Sequence, residues 1–147
     1  MAGRVHHSAI CAQDFEASLR FYRDGLGLEV IMDSEFDGDW PALFDASSSR
    51  LNSVFLGDPA APDAGVVELV SFPDGMETAP VLPDKPHVGF FLLSFYVGDT
   101  DAVLARLSEL ELGGEARRIE LPAPDGTAVV MATVRDPDGV LVELIGR

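Results

Sequence analysis

Cysteine is nearly absent from this chain. The single Cys11 cannot close an internal disulfide, so the fold must be held by packing, and the composition suits a reducing cytoplasm. Positive charge is scarce too. Ten Lys and Arg stand against 25 Asp and Glu, a formal net charge of −15, and Lys85 is the only lysine. That balance repels polyanions, which excludes DNA, RNA and anionic membrane surfaces as expected partners. The acidic residues are spread along the chain instead of gathered in a tail, so they serve solubility. Long apolar runs are missing as well. The longest candidate, 88–97, is only strand-sized, and the opening MAGRVHH lacks the apolar stretch of a signal peptide. What is present is an apolar fraction of 47% over 147 residues, enough for one domain or two small modules sharing a core.

Residues 5–27, VHHSAICAQDFEASLRFYRDGLG, organise the rest. As a strand, 5–12 alternates faces: His7, Ala9 and Cys11 point one way, Ser8, Ile10 and Ala12 the other. Asp14 follows as an N-cap, its carboxylate placed to accept the unpaired N–H groups of a first helical turn. Phe15, Leu19 and Tyr22 recur at helical spacing, and Gly25 is positioned to end the helix. The Ser8/Ile10 face packs under that helix and leaves His7 on the open face of the sheet.

The pattern recurs. From Leu92 the chain reads LLSFYVGDTDAVLARLSELELGG: an alternating strand, an Asp, then a helix with Val103, Leu104, Leu107 and Leu110 on one side, ended by Gly113 and Gly114. Superposing Asp14 on Asp99 sets Ile10 on Phe95, Ala12 on Val97 and His7 on Leu92. Each half closes on a strand carrying Glu-Leu, GVVELVSF with Glu68 and GVLVELIG with Glu143, the second after the turn Asp136-Pro137-Asp138-Gly139. Two copies of strand, helix and several strands are a strong organisational signal.

Between these landmarks, 27–33, 51–56 and 66–72 read as strands of the first half. Residues 34–50, SEFDGDWPALFDASSSR, show no sustained period and read as a long excursion. Either Trp40, Leu43 and Phe44 pin it to the body, or it forms a lid or wall over the open sheet face. Residues 73–86 hold four prolines and read as a linker. In the second half, 88–97 reads as a strand and 101–112 as a helix capped by Asp99 or Thr100. Three further strands are expected at 116–121, 127–135 and 140–145. If Leu93, Phe95 and Val97 face the helix, then Leu92, Ser94 and Tyr96 share the open side. By the same alternation Glu68 shares a face with Val66 and Val70, and Glu143 with Leu141 and Ile145. Neither half can bury a sheet face alone, so the halves are expected to pair, within the chain or across a dimer.

The spacing His7-x6-Asp14, the run FYRDGLGL from Phe21, the pair Glu68-Leu69, and Asp136-Pro137-Asp138-Gly139 leading to Glu143-Leu144 together resemble the vicinal oxygen chelate superfamily. That superfamily includes glyoxalase I, methylmalonyl-CoA epimerase, extradiol dioxygenases and bleomycin or fosfomycin resistance proteins. The resemblance covers essentially the whole chain. It implies an α+β fold of two paired βαβββ modules, 1–72 and 87–147, forming a cupped, mostly antiparallel sheet with helices on the outer face. It also implies a homodimer and a small-molecule substrate or ligand.

The resemblance places four metal-ligand positions on His7, Glu68, Leu92 and Glu143. A leucine has no lone pair to give, so the set contracts to His7, Glu68 and Glu143, with coordination positions open to substrate. Imidazole with carboxylates suits Zn, Ni, Co, Mn or Fe(II). His87 lies five residues before Leu92, an odd offset that turns it to the opposite face, and His6 faces the helix side.

Two functions follow. In one, a metal-dependent isomerase or lyase acts on a small oxygenated metabolite through an enolate-type intermediate, with Glu143 or Glu68 moving the proton. The same two carboxylates in a partly apolar cup could also work as acid and base without metal. In the other, the protein is a metal-free binder of the antibiotic-resistance type, clamping its ligand with Trp40, Phe44, Phe55 and Tyr96. Cys11, Leu92 and Ser94 line the pocket in either case. No Arg/Lys cluster falls on the cup strands, so nothing points to a glutathione or coenzyme A site.

Overall fold

Asp14 and Asp99 each start a helix at the end of a strand, and the same arrangement is built around both. The structure, a computed structural model, describes residues 2–78 and 85–147, and the chain divides into two units, Met1–Ala79 and Pro80–Arg147. Part of the expected linker, 79–84, lies outside the described residues.

The first unit runs β1 (His7–Cys11), α1 (Phe15–Leu19), β2 (Glu29–Asp37), α2 (Trp40–Phe44), β3 (Arg50–Gly57) and β4 (Val66–Ser71). Its sheet has the order β1-β4-β3-β2, with β1 and β4 parallel and the other pairs antiparallel. The Asp14 carboxylate accepts from the Ala17 N–H at 3.0 Å, which caps α1 as its position in the sequence dictates. The second unit runs β5 (Leu93–Tyr96), α3 (Thr100–Glu109), β6 (Arg117–Pro122), β7 (Ala128–Arg135) and β8 (Leu141–Gly146), in the order β5-β8-β7-β6. Asp99 repeats the cap, accepting from the Ala102 N–H at 2.9 Å.

The strand registers carry the repeat further. Ala9 lies opposite Glu68 across the parallel pair β1/β4, and Ser94 lies opposite Glu143 across β5/β8. The offset that sets Asp14 on Asp99 therefore also sets Ala9 on Ser94. In each sheet the face under the helix is the core. Ile10, Val54, Leu56, Val67 and Leu69 are buried in the first unit with Phe21 and Tyr22. Val130, Ala132, Val134, Val142 and Leu144 are buried in the second with Val103 and Leu107 of α3. Arg118 ties β6 to α3 through Asp101, at 2.7 and 2.9 Å, and also reaches Glu120. The hydrogen bond from Arg118 holds the Asp101 carboxyl below the ordinary carboxylate range.

Four boundaries depart from the sequence reading. The first helix does not end at Gly25 but continues beyond α1 as a π-helical turn over Arg20–Gly25, and Gly27, at φ 83°, is the residue that turns the chain out. Strand β2 extends to Asp37, paired with Arg50, so the excursion expected over 34–50 shrinks to the residues around α2. Its outer part is exposed on both faces, which removed the apolar alternation that marks a strand. β5 begins at Leu93, not at 88, because Gly89 sits at φ 106° and Leu93 is the first residue registered against β8. The second helix stops at Glu109 instead of 112, as Glu111 at φ 57° and Gly113 at φ 89° turn the chain away.

Gly146 closes β8 against the start of α3. A Cβ there would collide with the Val97 carbonyl oxygen and come within 2.7 Å of Thr100 Oγ1, a hydroxyl that donates to the Val130 carbonyl at 3.1 Å. We expect Gly146→Ala to cost about 1–3 kcal/mol, the usual range for an overpacked site, read as a lower urea midpoint at unchanged slope.

Candidate functional site

The open face of the first sheet is roofed. α2 and the stretch around 72–77 enclose a cavity of about 680 Å³ over β1, β4 and β3. Local chemistry sets the roof. Asp39 caps α2 by accepting from the Ala42 N–H at 3.2 Å, Pro41 fits its first turn, and Asp45 at φ 56° ends it. Trp40 and Phe44, one helical turn apart, stack with ring centroids at 5.8 Å and an interplanar angle of 11°. The indole N–H donates to the Phe36 carbonyl at 3.3 Å, and Phe72 meets Phe44 edge-on. Gly38 lies flat against the indole, where a Cβ would come within 2.8 Å of the ring.

The floor carries the chemistry. His7, Ala9 and Cys11 of β1 and Glu68 and Val70 of β4 all line the cavity, as strand alternation requires. Ser53 Oγ donates to Glu68 Oε2 at 2.7 Å, and His7 Nε2 stands 3.8 Å from Glu68 Oε1. The Glu68 side chain is 15% exposed against 36% for His7, so the carboxylate is shielded while the imidazole faces solvent-accessible space. His7 Nδ1 lies 2.8 Å from His6 Nδ1, one ring donating and the other accepting. Phe55 flanks both rings, with centroids 5.3 Å from His7 and 5.9 Å from His6. Phe55 is thus a support beside the histidines and is not among the residues lining the cavity, because its position opposite Glu68 puts it next to the His7 ring.

In the second unit, Ser94 Oγ donates to Glu143 Oε1 at 2.8 Å. Glu143 lines a separate small cavity of about 160 Å³ with Arg117, Ile119, Met131 and Thr133. Leu92 falls just before β5 and is half-buried, and Tyr96 is 83% exposed at the strand's end. Of the four aromatic residues expected to clamp a ligand, Trp40 and Phe44 are brought together, Phe55 stands at the histidines, and Tyr96 belongs to the other unit.

Imidazole and carboxylate are fitting donors for a borderline divalent ion. His7 Nε2 and Glu68 Oε1 converge, but Glu68 Oε2 is engaged by Ser53. Among the described residues, no group of three or more His, Cys, Asp and Glu side chains is gathered to hold an ion. The first unit thus presents two of the three protein donors that a catalytic ion generally uses. Glu143 sits in the second unit, and His87 is engaged through Nε2 with the Phe90 carbonyl at 3.0 Å.

Ser53 and Arg117 were missed in the sequence, and His6, expected on the helix side, instead sets its ring against His7 and Phe55, because at the strand's exposed start no packing under the helix holds it. Ser53 sits two positions from Phe55 and so shares its face, but only the β3/β4 register shows that it reaches Glu68. Arg117 lies on an exposed edge strand with no alternation to place it. Among the described residues, no helix is long and apolar enough to cross a membrane.

Two four-stranded mixed sheets, each with a helix on one face and a hydroxyl-tethered glutamate on the other, define a duplicated α+β fold with its chemistry on the open faces. The chain belongs to the Glyoxalase/Bleomycin resistance protein/Dioxygenase superfamily, whose family model matches residues 4–144. It is 40% identical over 147 residues to the lactoylglutathione lyase-like protein terB of Aspergillus terreus, covering 97% of this chain and 75% of that one. It is 32% identical over 144 residues to the uncharacterized protein YaeR of Escherichia coli, covering 96% and 94%. The fold matches a glyoxalase family protein from Bacillus cereus with a TM-score of 0.70 at 19% identity, covering 99% of this chain and 95% of that one.

Proposed function

We propose that this protein is a lyase or isomerase that moves a proton between adjacent carbons of a small oxygenated metabolite through an enolate-type intermediate. The observation that carries the reading is Glu68, a shielded carboxylate on the floor of a largely apolar cavity, fixed at one oxygen by Ser53 with the other turned to His7. A carboxylate so held is positioned to accept a proton from a carbon beside a carbonyl. The Trp40 and Phe44 wall orients the substrate and excludes water, which strengthens electrostatic contacts in the cavity. A divalent ion at His7 and Glu68 would polarise the substrate oxygen. Glu143, tethered by Ser94, is the second carboxylate that the reading assigns to proton transfer. The name of the Aspergillus relative, lactoylglutathione lyase-like, supports lyase chemistry. Cytoplasmic location and a homodimer belong to the same proposal.

A second reading is favoured by the stacked indole and phenyl rings and by Leu92 at an expected ligand position: a metal-free binder of an aromatic small molecule. One experiment separates the two. The protein is stripped with chelator, reloaded with Zn, Ni, Co, Mn or Fe(II), and its metal counted by plasma mass spectrometry. We expect about one ion per chain, lost in Glu68→Ala, which removes one of the two converging donors. A chain that stays metal-free under every loading condition, yet still takes up an aromatic dye, gives the binder reading the better claim.

A further inference from the structure

On the open face of the second sheet, four polar side chains stand in one row. Arg117 of β6 lies opposite Thr133 of β7, Thr133 opposite Glu143 of β8, and Glu143 opposite Ser94 of β5. Directly paired residues share a sheet face, so the row crosses all four strands on the side away from α3. The corresponding row of the first sheet reads Met32, Phe55, Glu68 and Ala9. The glutamate is common to both. Its neighbours are apolar in one unit and a guanidinium with two hydroxyls in the other.

The arginine stands out for what it lacks. Among the described residues Arg117 is the only arginine with neither a hydrogen bond nor an ion pair, in a chain of net charge −15. Its neighbour Arg118 points to the other face and is taken up by Asp101 and Glu120. Arg117 and Glu143 stand two strands apart, about 10 Å between backbones at ordinary strand spacing, with Thr133 between them. Ser94 occupies one oxygen of Glu143, and the other has no partner among the described residues.

We propose that this row is a subsite for the head group of a small hydroxy acid, its carboxylate on Arg117 and Thr133 and its hydroxyl on Glu143. The planar guanidinium fork matches a carboxylate with two parallel hydrogen bonds, and the Thr133 hydroxyl supplies a further donor. The free oxygen of Glu143 accepts from an alcohol. The cavity of about 160 Å³ falls below the usual volume of a whole-ligand pocket, roughly 300–1,000 Å³, so it suits a head group and not a coenzyme. Ile119 and Met131 share the lining with Arg118 and Ala132 and keep the polar row partly dry. The subsite shares Glu143 with the reading above, but its binding needs neither an ion nor turnover, so a titration tests it separately.

The test is an NMR titration of the full chain with lactate, with lactamide, which keeps the hydroxyl but lacks the charge, and with inorganic phosphate. We expect lactate to shift the Arg117 Nε–H and Thr133 signals saturably, and lactamide to bind about tenfold more weakly or worse, since charge-assisted bonds are roughly twice as strong as neutral ones. Arg117→Gln should weaken lactate by about tenfold, Arg117→Lys by less, because charge survives without the fork. Arg106→Gln, on α3 at the opposite face of the sheet, should leave lactate binding unchanged. Equal binding of lactate and lactamide, or lactate affinity that survives Arg117→Gln, overturns the proposal. Phosphate binding as tightly as lactate on the same signals overturns it too.

Discussion

Glu68→Gln is expected to lower turnover by about 10²–10⁴-fold, the usual contribution of a positioned general base, while ligand affinity stays within a few-fold. The amide is nearly isosteric with the carboxylate, and its oxygen can still accept from Ser53 Oγ, now 2.7 Å from Glu68 Oε2. What disappears is the capacity to take a proton. The loss should therefore fall in kcat with KM little changed, the pattern of a group whose effect is confined to the transition state. Glu143→Gln, measured in parallel, reports on the other tethered carboxylate. If Glu68→Gln retains full turnover, Glu68 is a structural acceptor for Ser53, and proton transfer must be assigned elsewhere.

Phe21→Ala is expected to destabilise the protein by about 3–5 kcal/mol, as emptying a buried aromatic site does. Phe21 and Tyr22 are both 0% exposed, although they are consecutive. An α-helix sets successive side chains about 100° apart, which would drive one of such a pair toward solvent. Here they lie within the π-helical turn Arg20–Gly25, whose wider winding brings both rings to the core side, with centroids 4.9 Å apart. Removing Phe21 leaves a void under that turn and strips Tyr22 of its edge-to-face neighbour. The melting temperature should fall by on the order of 10 °C, read by calorimetry or near-ultraviolet circular dichroism. A fall of only one or two degrees would mean that the turn collapses to fill the void.

What could be read from the sequence was local. Asp14 and Asp99 cap their helices because a cap depends on four successive residues. Glu68 and Glu143 could be set on the open faces because alternation within a strand fixes them. Where partners distant in the chain decide, the reading failed. β2 gains its last residues from pairing with β3, and 88–92 lose strand geometry because β8 registers only from Leu93 onward. The role of Gly25 was misjudged because nothing in FYRDGLGL distinguishes an α turn from a π turn, and Gly27, not Gly25, supplies the positive φ. Ser53 and Arg117 escaped for the same reason: strand register, not spacing along the chain, brings them to Glu68 and to the Glu143 row.

The tethers on the two glutamates come from opposite directions. In the first unit the hydroxyl belongs to β3, on one side of β4; in the second it belongs to β5, on the other side of β8. The duplicated backbone has thus kept its plan while the two carboxylates became mirror-like in how they are restrained. A halved and re-duplicated version of this chain, with either module copied twice, would keep the fold's topology but carry two identically leaning acids. Divergence between the copies has thus set each acid's restraint separately, Glu68 from β3 and Glu143 from β5.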